Sequence, residues 1–399
     1  SGNIGIEGNL NYQNRNLTGG AEVLDVTLKG ALRWQQEAED KTQDFKFNTI
    51  EYGVDASLEL PKFLLPFNAY RFYKKYNPKT VISSAYNHQQ RPIFTRRLAN
   101  ASFGYFWDAS AFSRHQVTPI QFNTVKIFEL SDQFKTQIQS SYLVNSFKDF
   151  FISEVGYTYT FRNQNINKPT NYVFFRTNLS TGGNFLSFYN SAISKTSNSL
   201  DSVHTIFGLE YAQFALADVD FRYYHILNTR NTIVYRFYTG AGIPYGNSTA
   251  LPFVKQFFSG GANSLRGWQV STLGPGSYVD TLQAYNQTAD FKIEANIEYR
   301  FDIFWILKGA LFVDVGNIWS LNPKDTRPGV LFGFDTFHKQ LAVSTGMGAR
   351  VDLKFFIFRI DVGFKAHDPS YPEGKRWILG TKIPGKNDFG VNLGIGYPF

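Results

Sequence analysis

Cysteine is absent from the 399-residue chain, methionine occurs once, and charged residues make up only 18% of it. Without cysteine there are no disulfides and no thiol chemistry, a composition that fits a location in the cell envelope. No run of about 18 apolar residues occurs, so the sequence predicts no transmembrane helix. The formal charge of +8 is spread along the chain without a basic block, which argues against a nucleic-acid partner.

Aromatic residues are abundant instead, with 40 Phe and 23 Tyr, and the chain follows a period of two. Between residues 291 and 301, apolar side chains at odd positions alternate with Lys292, Glu294, Glu298 and Arg300 at even positions. Residues 23–34 alternate in the same way. This period predicts β-strands that have one apolar and one polar face.

Strands of this kind suit a soluble sandwich with apolar faces inward or a membrane barrel with apolar faces outward. The barrel is favoured because the predicted strands run to about 11–15 residues, whereas soluble strands average about 5–6. Aromatic residues cluster at strand ends, and the polar faces carry charges that a wet lumen tolerates better than a dry core. The predicted fold class is therefore all-β, a 16-stranded antiparallel transmembrane β-barrel with a long extracellular loop folded into the lumen.

About 15 strands can be placed, and residues 1–399 are expected to form one barrel domain. An even-stranded barrel has both ends at the periplasmic side, so either one strand precedes Ser1, which we favour, or 204–227 divides near Ala215–Ala217. Short turns (228–230, 303–306, 353–354) should be periplasmic and long segments (131–150, 182–203, 243–287, 318–338, 368–387) extracellular, with 131–150 and 182–203 as candidates for short helices. The strands are predicted at 2–13, 21–35, 45–61, 78–90, 95–108, 117–130, 151–163, 169–181, 204–227, 231–242, 288–302, 307–317, 339–352, 355–367 and 388–399.

One stretch, residues 257–278, departs from the alternation and reads FFSGGANSLRGWQVSTLGPGSY. Its glycine pair Gly260-Gly261 and its Arg266-Gly267-Trp268 triplet resemble the sixth-loop motif of the BamA/TamA outer-membrane assembly superfamily. Three further matches follow in the family's order: a Glu-bearing strand, NIEYRF, an Asp-x-Gly strand, FVDVGNIW, and an aromatic-rich last strand that ends in Phe399. The motifs cover roughly the last 170 residues. The middle segments favour the TamA-like branch.

The resemblance implies that residues 243–287 fold back into the barrel. Glu298 and Asp314 both fall on the polar face of neighbouring strands, and a planar guanidinium bridges two carboxylates better than an ammonium does. We therefore expect Arg266 to latch onto Glu298 and Asp314. Counting about the 303–306 turn places Glu294 most directly opposite Asp314, so Glu294 is a rival partner.

Glycines of the loop motif have a role beside the arginine. Gly260, Gly261 and Gly267 let the backbone turn sharply and approach the barrel wall closely, with Trp268 completing the motif. The alternative is that Arg266, Glu298 and Asp314 are ordinary lumen charges, of the kind that every barrel has.

The last strand carries a second feature. Gly390, Gly394 and Gly396 weaken strand pairing and Pro398 cannot donate to a ladder, while Tyr397 and Phe399 continue the apolar face. A weak seam with the first strand follows, at which an incoming strand could add by β-augmentation. The alternative is that these glycines fit a tight corner of the barrel.

The expected function is insertion or translocation of outer-membrane proteins in the outer membrane of a diderm bacterium, without catalysis. Expected partners are outer-membrane lipid, unfolded β-barrel clients and periplasmic or lipoprotein subunits. POTRA domains are expected upstream. No cofactor is expected, and the six scattered histidines lack metal-ligand spacing. A two-partner-secretion export pore and a passive porin or surface receptor are the alternatives.

Overall fold

The computed structural model describes residues 4–34, 49–65, 77–91, 94–130, 148–165, 167–193, 204–206, 208–279, 287–353 and 355–399. Within these ranges the protein is almost entirely β, with 17 strands, two α-helices and three 3₁₀ turns. The predicted all-β class is confirmed. No α-helix of these ranges has both the length and the apolar character needed to span a membrane.

The strands are β1 (Ile4–Asn14), β2 (Val23–Trp34), β3 (Thr49–Leu60), β4 (Lys79–Gln90), β5 (Phe94–Asp108), β6 (Ser113–Leu130), β7 (Phe150–Arg162), β8 (Tyr172–Gly182), β9 (Thr205–Ile206), β10 (Leu209–Tyr211), β11 (Phe214–Ile226), β12 (Asn231–Pro244), β13 (Phe291–Phe304), β14 (Leu307–Trp319), β15 (Ala342–Asp352), β16 (Ile357–His367) and β17 (Phe389–Ile395).

The helices lie between strands. Helix α1 (Asn184–Ile193) follows β8, inside one of the two segments expected to carry a short helix, and α2 (Ile378–Thr381) lies between β16 and β17. Most of the other such segment, 131–150, lies outside the described residues. The 3₁₀ turns are Phe253–Lys255, Phe337–Gln340 and Lys386–Asp388.

The chain divides into two compact units. The first comprises Ser1–Thr160, Asn178–Leu216 and Ile243–Val254. In it β1 to β6 form an antiparallel ladder in which each strand pairs with the next along the chain. The following apolar residues of this unit are buried together in one cluster: Val125, Phe150, Ile152, Ala212, Phe214 and Leu251.

The second unit comprises Phe161–Thr177, Ala217–Gly242 and Lys255–Phe399. Its strands β12 to β17 also pair antiparallel in chain order. In β13 the even-numbered residues from 292 to 298 are buried and most odd-numbered ones are partly exposed. The apolar side chains of β17 at odd positions are 47–74% exposed. The polar faces therefore point inward and the apolar faces outward, opposite to a soluble sandwich.

Segment 204–227 was predicted as one strand, or two broken near Ala215–Ala217, but it forms three strands. The long strand β11 begins only after Ala212 and Gln213. The main chain at Gln213 is engaged by the following long loop, because its N–H donates to the Ser248 hydroxyl and its carbonyl accepts from Tyr245 N–H. These bonds take the place of ladder pairing, which explains where the strand breaks.

The last strand ends at Ile395, four residues before its predicted end. Gly396 has φ of +80°, a left-handed conformation that turns the chain out of the ladder. Tyr397 and Phe399 consequently do not continue the exposed face of β17, and Phe399 is buried. The prediction that placed Pro398 and Phe399 in this strand is therefore wrong.

Candidate functional site

The loop between β12 and β13 closes on itself around the Gly260-Gly261 pair. Its base is fixed by the bridge between Phe257 and Ala289. Both glycines have φ near +95°, and Gly261 N–H donates to the Trp268 carbonyl over 2.8 Å. A side chain would be strained in that left-handed conformation, so the two glycines allow the tight turn that presents Arg266.

Arg266 is fully buried and contacts two carboxylates. Its Nε and Nη2 donate to the two oxygens of Asp314 over 3.0 and 2.8 Å, a bidentate pair, and its backbone N–H also donates to Asp314. Its Nη1 donates to Glu298. The structure thus brings Arg266, Glu298 and Asp314 together, with every guanidinium nitrogen used.

The Phe312 ring supports the same guanidinium from one face. Arg266 Cζ lies 3.4 Å from the ring centroid, and Phe312 is buried. Burial would lower the pKa of Arg266, but the carboxylates of Asp314 and Glu298 raise it above its usual value, so the group is a permanent cation. A planar cation between an aromatic face and two carboxylates is an arrangement that lysine cannot reproduce.

Further arginines contact the acidic residues around Arg266. Arg350 Nη2 donates to Glu298 over 3.1 Å, and Arg300 Nε donates to the other Glu298 oxygen over 2.7 Å. Asp361 lies 2.9 Å from Arg350, 3.2 Å from Arg359 and 3.9 Å from Arg266. The inner face of β13 to β16 is thus an alternating network of buried charges rather than an array facing water.

Glu294, the rival partner, has other contacts. It accepts from Arg236 Nη1 over 2.8 Å, lies 2.8 Å from Lys292 Nζ and also accepts from the Ser264 hydroxyl. The register places Asn296, not Glu294, opposite Asp314. The count about the turn missed this register because the strands pair as far as Phe304 and Leu307, so the turn is shorter than 303–306, and because the pairing is irregular between Asp302 and Phe304.

The apolar residues next to Arg266 in the loop motif are held by packing. Leu265 and Trp268 are buried in a cluster with Leu273 and Ala342. Lys365 Nζ lies 5.3 Å from the Trp268 ring centroid. The apolar cluster holds the loop motif in place while the polar contacts orient its cation.

Three glycines make room for the loop backbone. A Cβ on Gly390 would lie 2.5 Å from the Arg266 carbonyl oxygen, and one on Gly363 would lie 2.6 Å from it. A Cβ on Gly267 would lie 2.8 Å from that of Ser344. Gly363 and Gly390 are paired across β16 and β17, so the two strands offer a bare strip of backbone on which the motif lies.

The last strand also binds the loop directly. Asn392 Nδ2 donates to the Arg266 carbonyl over 2.9 Å, and a Cβ on Gly394 would lie 2.6 Å from Arg359 Nε. Gly390 and Gly394 thus contact the loop and its supporting arginine, in addition to any effect on strand pairing. Gly396 has open space around it, turns the chain and donates its N–H to the Ile357 carbonyl over 2.7 Å.

The sequence did not single out several members of the site. They lie on the polar faces of their strands, and the alternation of Phe358, Ile360 and Val362 with Arg359 and Asp361 was a signal that could have found two of them. The missed residues are Arg300, Phe312, Arg350, Arg359, Asp361, Gly363 and Asn392.

Asp290, at the base of the loop, is a buried carboxyl outside the network. Its Oδ2 accepts from Leu321 N–H and Ser320 Oγ, whereas its Oδ1 is buried without a hydrogen bond. Burial raises the pKa of Asp290 to about 6. The described residues contain no group of three or more His, Asp or Glu side chains placed to hold a metal ion.

The raised pKa of Asp290 predicts a pH-dependent stability. Because the native state holds this proton more tightly than the unfolded chain, Asp290 makes unfolding easier as pH rises from about 4 to about 6, and the penalty is complete above that range. The stability of Asp290→Asn should equal that of the wild type near pH 4 and exceed it above about pH 7. Guanidinium unfolding in detergent, followed by tryptophan fluorescence, measures the difference. A difference that stays constant with pH would contradict the assignment.

Comparisons with known proteins agree with this architecture. Residues 7–399 match the Omp85 superfamily domain. The structure is similar to BamA from Haemophilus ducreyi lacking POTRA domains 1–3, with a TM-score of 0.64 and 11% identity over 99% of this chain and 69% of that chain. No curated protein sequence matches the chain at a significant level.

Two further structures are similar. CdiB from Acinetobacter baumannii gives a TM-score of 0.54 at 13% identity, covering 98% of this chain and 56% of that one. CdiB from Escherichia coli gives 0.55 at 11% identity, covering 98% and 59%. The chain spans less than two thirds of either CdiB chain. At these identities the likeness shows the fold, a transmembrane β-barrel of the BamA type. With the family domain matched across nearly its whole length, the chain belongs to the Omp85 superfamily.

Proposed function

We propose that residues 1–399 form the barrel domain of a protein that inserts or translocates β-rich proteins in the outer membrane of a diderm bacterium. In this proposal the loop carrying Arg266 plugs the barrel in its resting state, and the seam between the first and last strands admits the client. The observation that carries the proposal is the buried contact of Arg266 with Glu298 and Asp314, beside the last strand.

The loop is well suited to act as a fixed plug. Without Arg266, Asp314 and Glu298 would keep fewer compensating groups in a low-dielectric interior, which costs several kcal/mol. The loop therefore leaves only when other groups replace Arg266, and an adventitious fluctuation does not open the pore.

The last strand links the arrival of a client to the release of the loop. It contacts the loop backbone through Asn392 and Gly390 on its inner face, and its outer face presents apolar residues to lipid. A client strand that pairs with the edge of β17 satisfies backbone groups that are costly to leave bare in a membrane. Displacement of β17 also strains the bond from Asn392 to Arg266, so arrival of the client and release of the plug are linked.

Partners follow from the same mechanism. Unfolded β-barrel clients supply the incoming strands, and lipid contacts the outer faces. We also propose that POTRA-type periplasmic domains and accessory subunits deliver clients, by analogy with the structurally similar BamA from Haemophilus ducreyi, which is a protein with POTRA domains.

The direct test is assisted folding in liposomes. The protein, together with its natural periplasmic part, is reconstituted, and the heat-modifiable gel shift follows the folding of a urea-unfolded outer-membrane barrel. We expect acceleration over empty liposomes, and loss of most of it when Asn392→Leu uncouples β17 from the loop. Lys29→Gln, at an exposed ion pair in β2, is the control and should keep full activity. No acceleration by the wild type would contradict the proposal.

An export pore for one dedicated substrate is the second candidate, supported by the similarity to the two CdiB structures. The same assay separates the two, because an export pore would not accelerate folding of a general client but would pass its own substrate across the bilayer.

Bilayer conductance distinguishes both candidates, the insertion protein and the export pore, from a passive porin. We expect the wild-type protein in a planar bilayer to conduct little, and Arg266→Ala to give larger or noisier currents because the plug is loosened. A porin would conduct steadily before and after the substitution, and that outcome would contradict a plugged barrel.

A further inference from the structure

The loop between β16 and β17, residues 368–388, first returns along the end of β16. Trp377 forms a β-bridge with His367, the last residue of β16, and the Asp368 N–H donates to the Arg376 carbonyl over 2.9 Å. Strand β16 has 11 residues, about the number that a tilted strand needs to cross the hydrocarbon of a membrane. Trp377 therefore lies at the level where β16 leaves the hydrocarbon and meets the lipid headgroups.

The far end of this β16–β17 loop lies at the same border. The 3₁₀ turn Lys386–Asp388 leads directly into β17, whose first residue, Phe389, is on the outer face with its ring centroid 5.3 Å from that of Phe364. Lys382 Nζ lies 2.9 Å from Asp388 Oδ1, which holds the middle of the loop against this turn. The loop thus continues the lipid-facing surface of β17.

Large apolar side chains of the β16–β17 loop are exposed. Trp377, Leu379 and Ile383 are 61%, 73% and 93% exposed, whereas Ile378 is buried. Apolar surface gains by leaving water, and tryptophan in particular is typical of the membrane–water interface. Because these side chains adjoin the outer face of β17, lipid is the one occupant that can cover both surfaces together.

The charges of the loop are unequal. Each of its acidic residues is paired with a different cation, in the pairs Asp368–Lys365, Glu373–Arg376 and Asp388–Lys382, at 3.8, 4.0 and 2.9 Å. Lys375 and Lys386 are exposed, and neither has an ion-pair partner within the part of the chain that the structure describes. The loop therefore presents unpaired ammonium groups at the depth of lipid headgroups.

We propose that the β16–β17 loop binds anionic, phosphate-bearing lipid in the leaflet that surrounds this end of the barrel. Trp377, Leu379 and Ile383 insert among the acyl chains. Lys375 and Lys386 bind the phosphates, since a long lysine side chain reaches a headgroup while its stem stays against apolar surface, and each lysine near an anionic membrane adds attraction. The inference needs only a barrel that spans a membrane, and not the insertion of clients.

The first test measures insertion of the loop. The chain contains no cysteine, so a single introduced cysteine can be labelled with the fluorophore NBD. Ile383→Cys, labelled and reconstituted in phosphatidylcholine vesicles, should be quenched strongly by lipid that carries a nitroxide on its acyl chain. Thr326→Cys, at an exposed polar position of the loop between β14 and β15, is the control and should be quenched weakly. Equal quenching at the two positions would overturn the proposal.

The second test measures the preference for anionic lipid. Nitroxide-labelled phosphatidylglycerol should quench the label at position 383 at least ~3-fold more than nitroxide-labelled phosphatidylcholine, because two lysines attract the anionic headgroup. Lys375→Gln/Lys386→Gln should remove this preference and leave quenching by phosphatidylcholine unchanged. Lys324→Gln/Lys339→Gln, at exposed lysines of the neighbouring loop, should keep it. A preference that survives loss of Lys375 and Lys386 would contradict an anionic-lipid site.

A second copy of the chain on this surface would give a different result. It would shield the label at position 383 from both nitroxide lipids and produce a dimer on a native gel, and that outcome would also overturn the proposal. Neither test contains a client, so failure of assisted folding is distinguishable from failure here.

Discussion

Arg266→Ala should destabilise the inserted loop by about 3–5 kcal/mol, because it leaves Glu298 and Asp314 buried with fewer compensating charges. Arg350, Arg300 and Asn296 still contact these carboxylates, so the barrel ladder should survive while the loop detaches. The measurement is limited proteolysis within 257–279 of the folded protein, which should be cleaved much faster than in the wild type. The rate of cleavage within the loop should rise strongly, whereas the unfolding temperature of the barrel should change little.

Arg114→Ala is the matched control. Arg114 also pairs with a carboxylate, Asp108, but its side chain is 65% exposed, and an exposed pair contributes about 0–1 kcal/mol. Arg266→Lys is informative beside it, since it keeps the charge but loses the bidentate contact with Asp314 and the flat contact with Phe312. If Arg266→Ala resisted the protease as well as the wild type does, the apolar cluster of Leu265 and Trp268 would hold the loop without help from the ion pairs.

Gly390→Val should displace the loop without touching any charge. A Cβ at that position would come within 2.5 Å of the Arg266 carbonyl oxygen, which is backbone and has little freedom to move away. Overpacking of this kind costs about 1–3 kcal/mol, and the branched side chain favours the upper end. Loop proteolysis should again rise, together with the bilayer conductance.

Gly30→Val controls for the loss of a strand glycine, because a Cβ on Gly30 of β2 meets nothing within 4 Å. Valine suits an exposed strand position, so this variant should be neutral or slightly more stable than the wild type. If Gly390→Val behaves in the same way, the close contact between β17 and the loop is not a constraint on the folded protein.

The strands and the inward direction of the charges could be predicted because a period of two is a local property of the sequence. The pairing of Arg266 with Glu298 and Asp314 came from that period together with the family motif. The choice between Glu298 and Glu294 could not be made by parity, since a shift of two residues keeps every side chain on the same face. The observed register places Asn296 opposite Asp314, two residues from either glutamate, so the position that the loop gives to Arg266 decided between them, and a loop conformation has no simple sequence signal.

Features that depend on what packs across the interior were not predictable. Gly390 and Gly394 were interpreted as weakening a seam, because their sequence context says nothing of the loop backbone that lies against them. The inward course of Phe399 was missed for the same reason, since the alternation of the sequence continues through Tyr397 while Gly396 turns the chain in space. Asp361 and Arg350 carried no motif and acquire their role only when β13 to β16 are side by side.

The single amide of Asn392 on an otherwise bare inner edge has a consequence for assembly. Its neighbours on that face, Gly390 and Gly394, cannot donate a side-chain hydrogen bond, so sliding β17 by two residues would leave the Arg266 carbonyl without its donor and place the amide where only hydrogen atoms fit. The loop can seat fully only on a correctly aligned terminal strand. A two-residue slip of β17 would thus be penalised through the loop as well as through its pairing with β16.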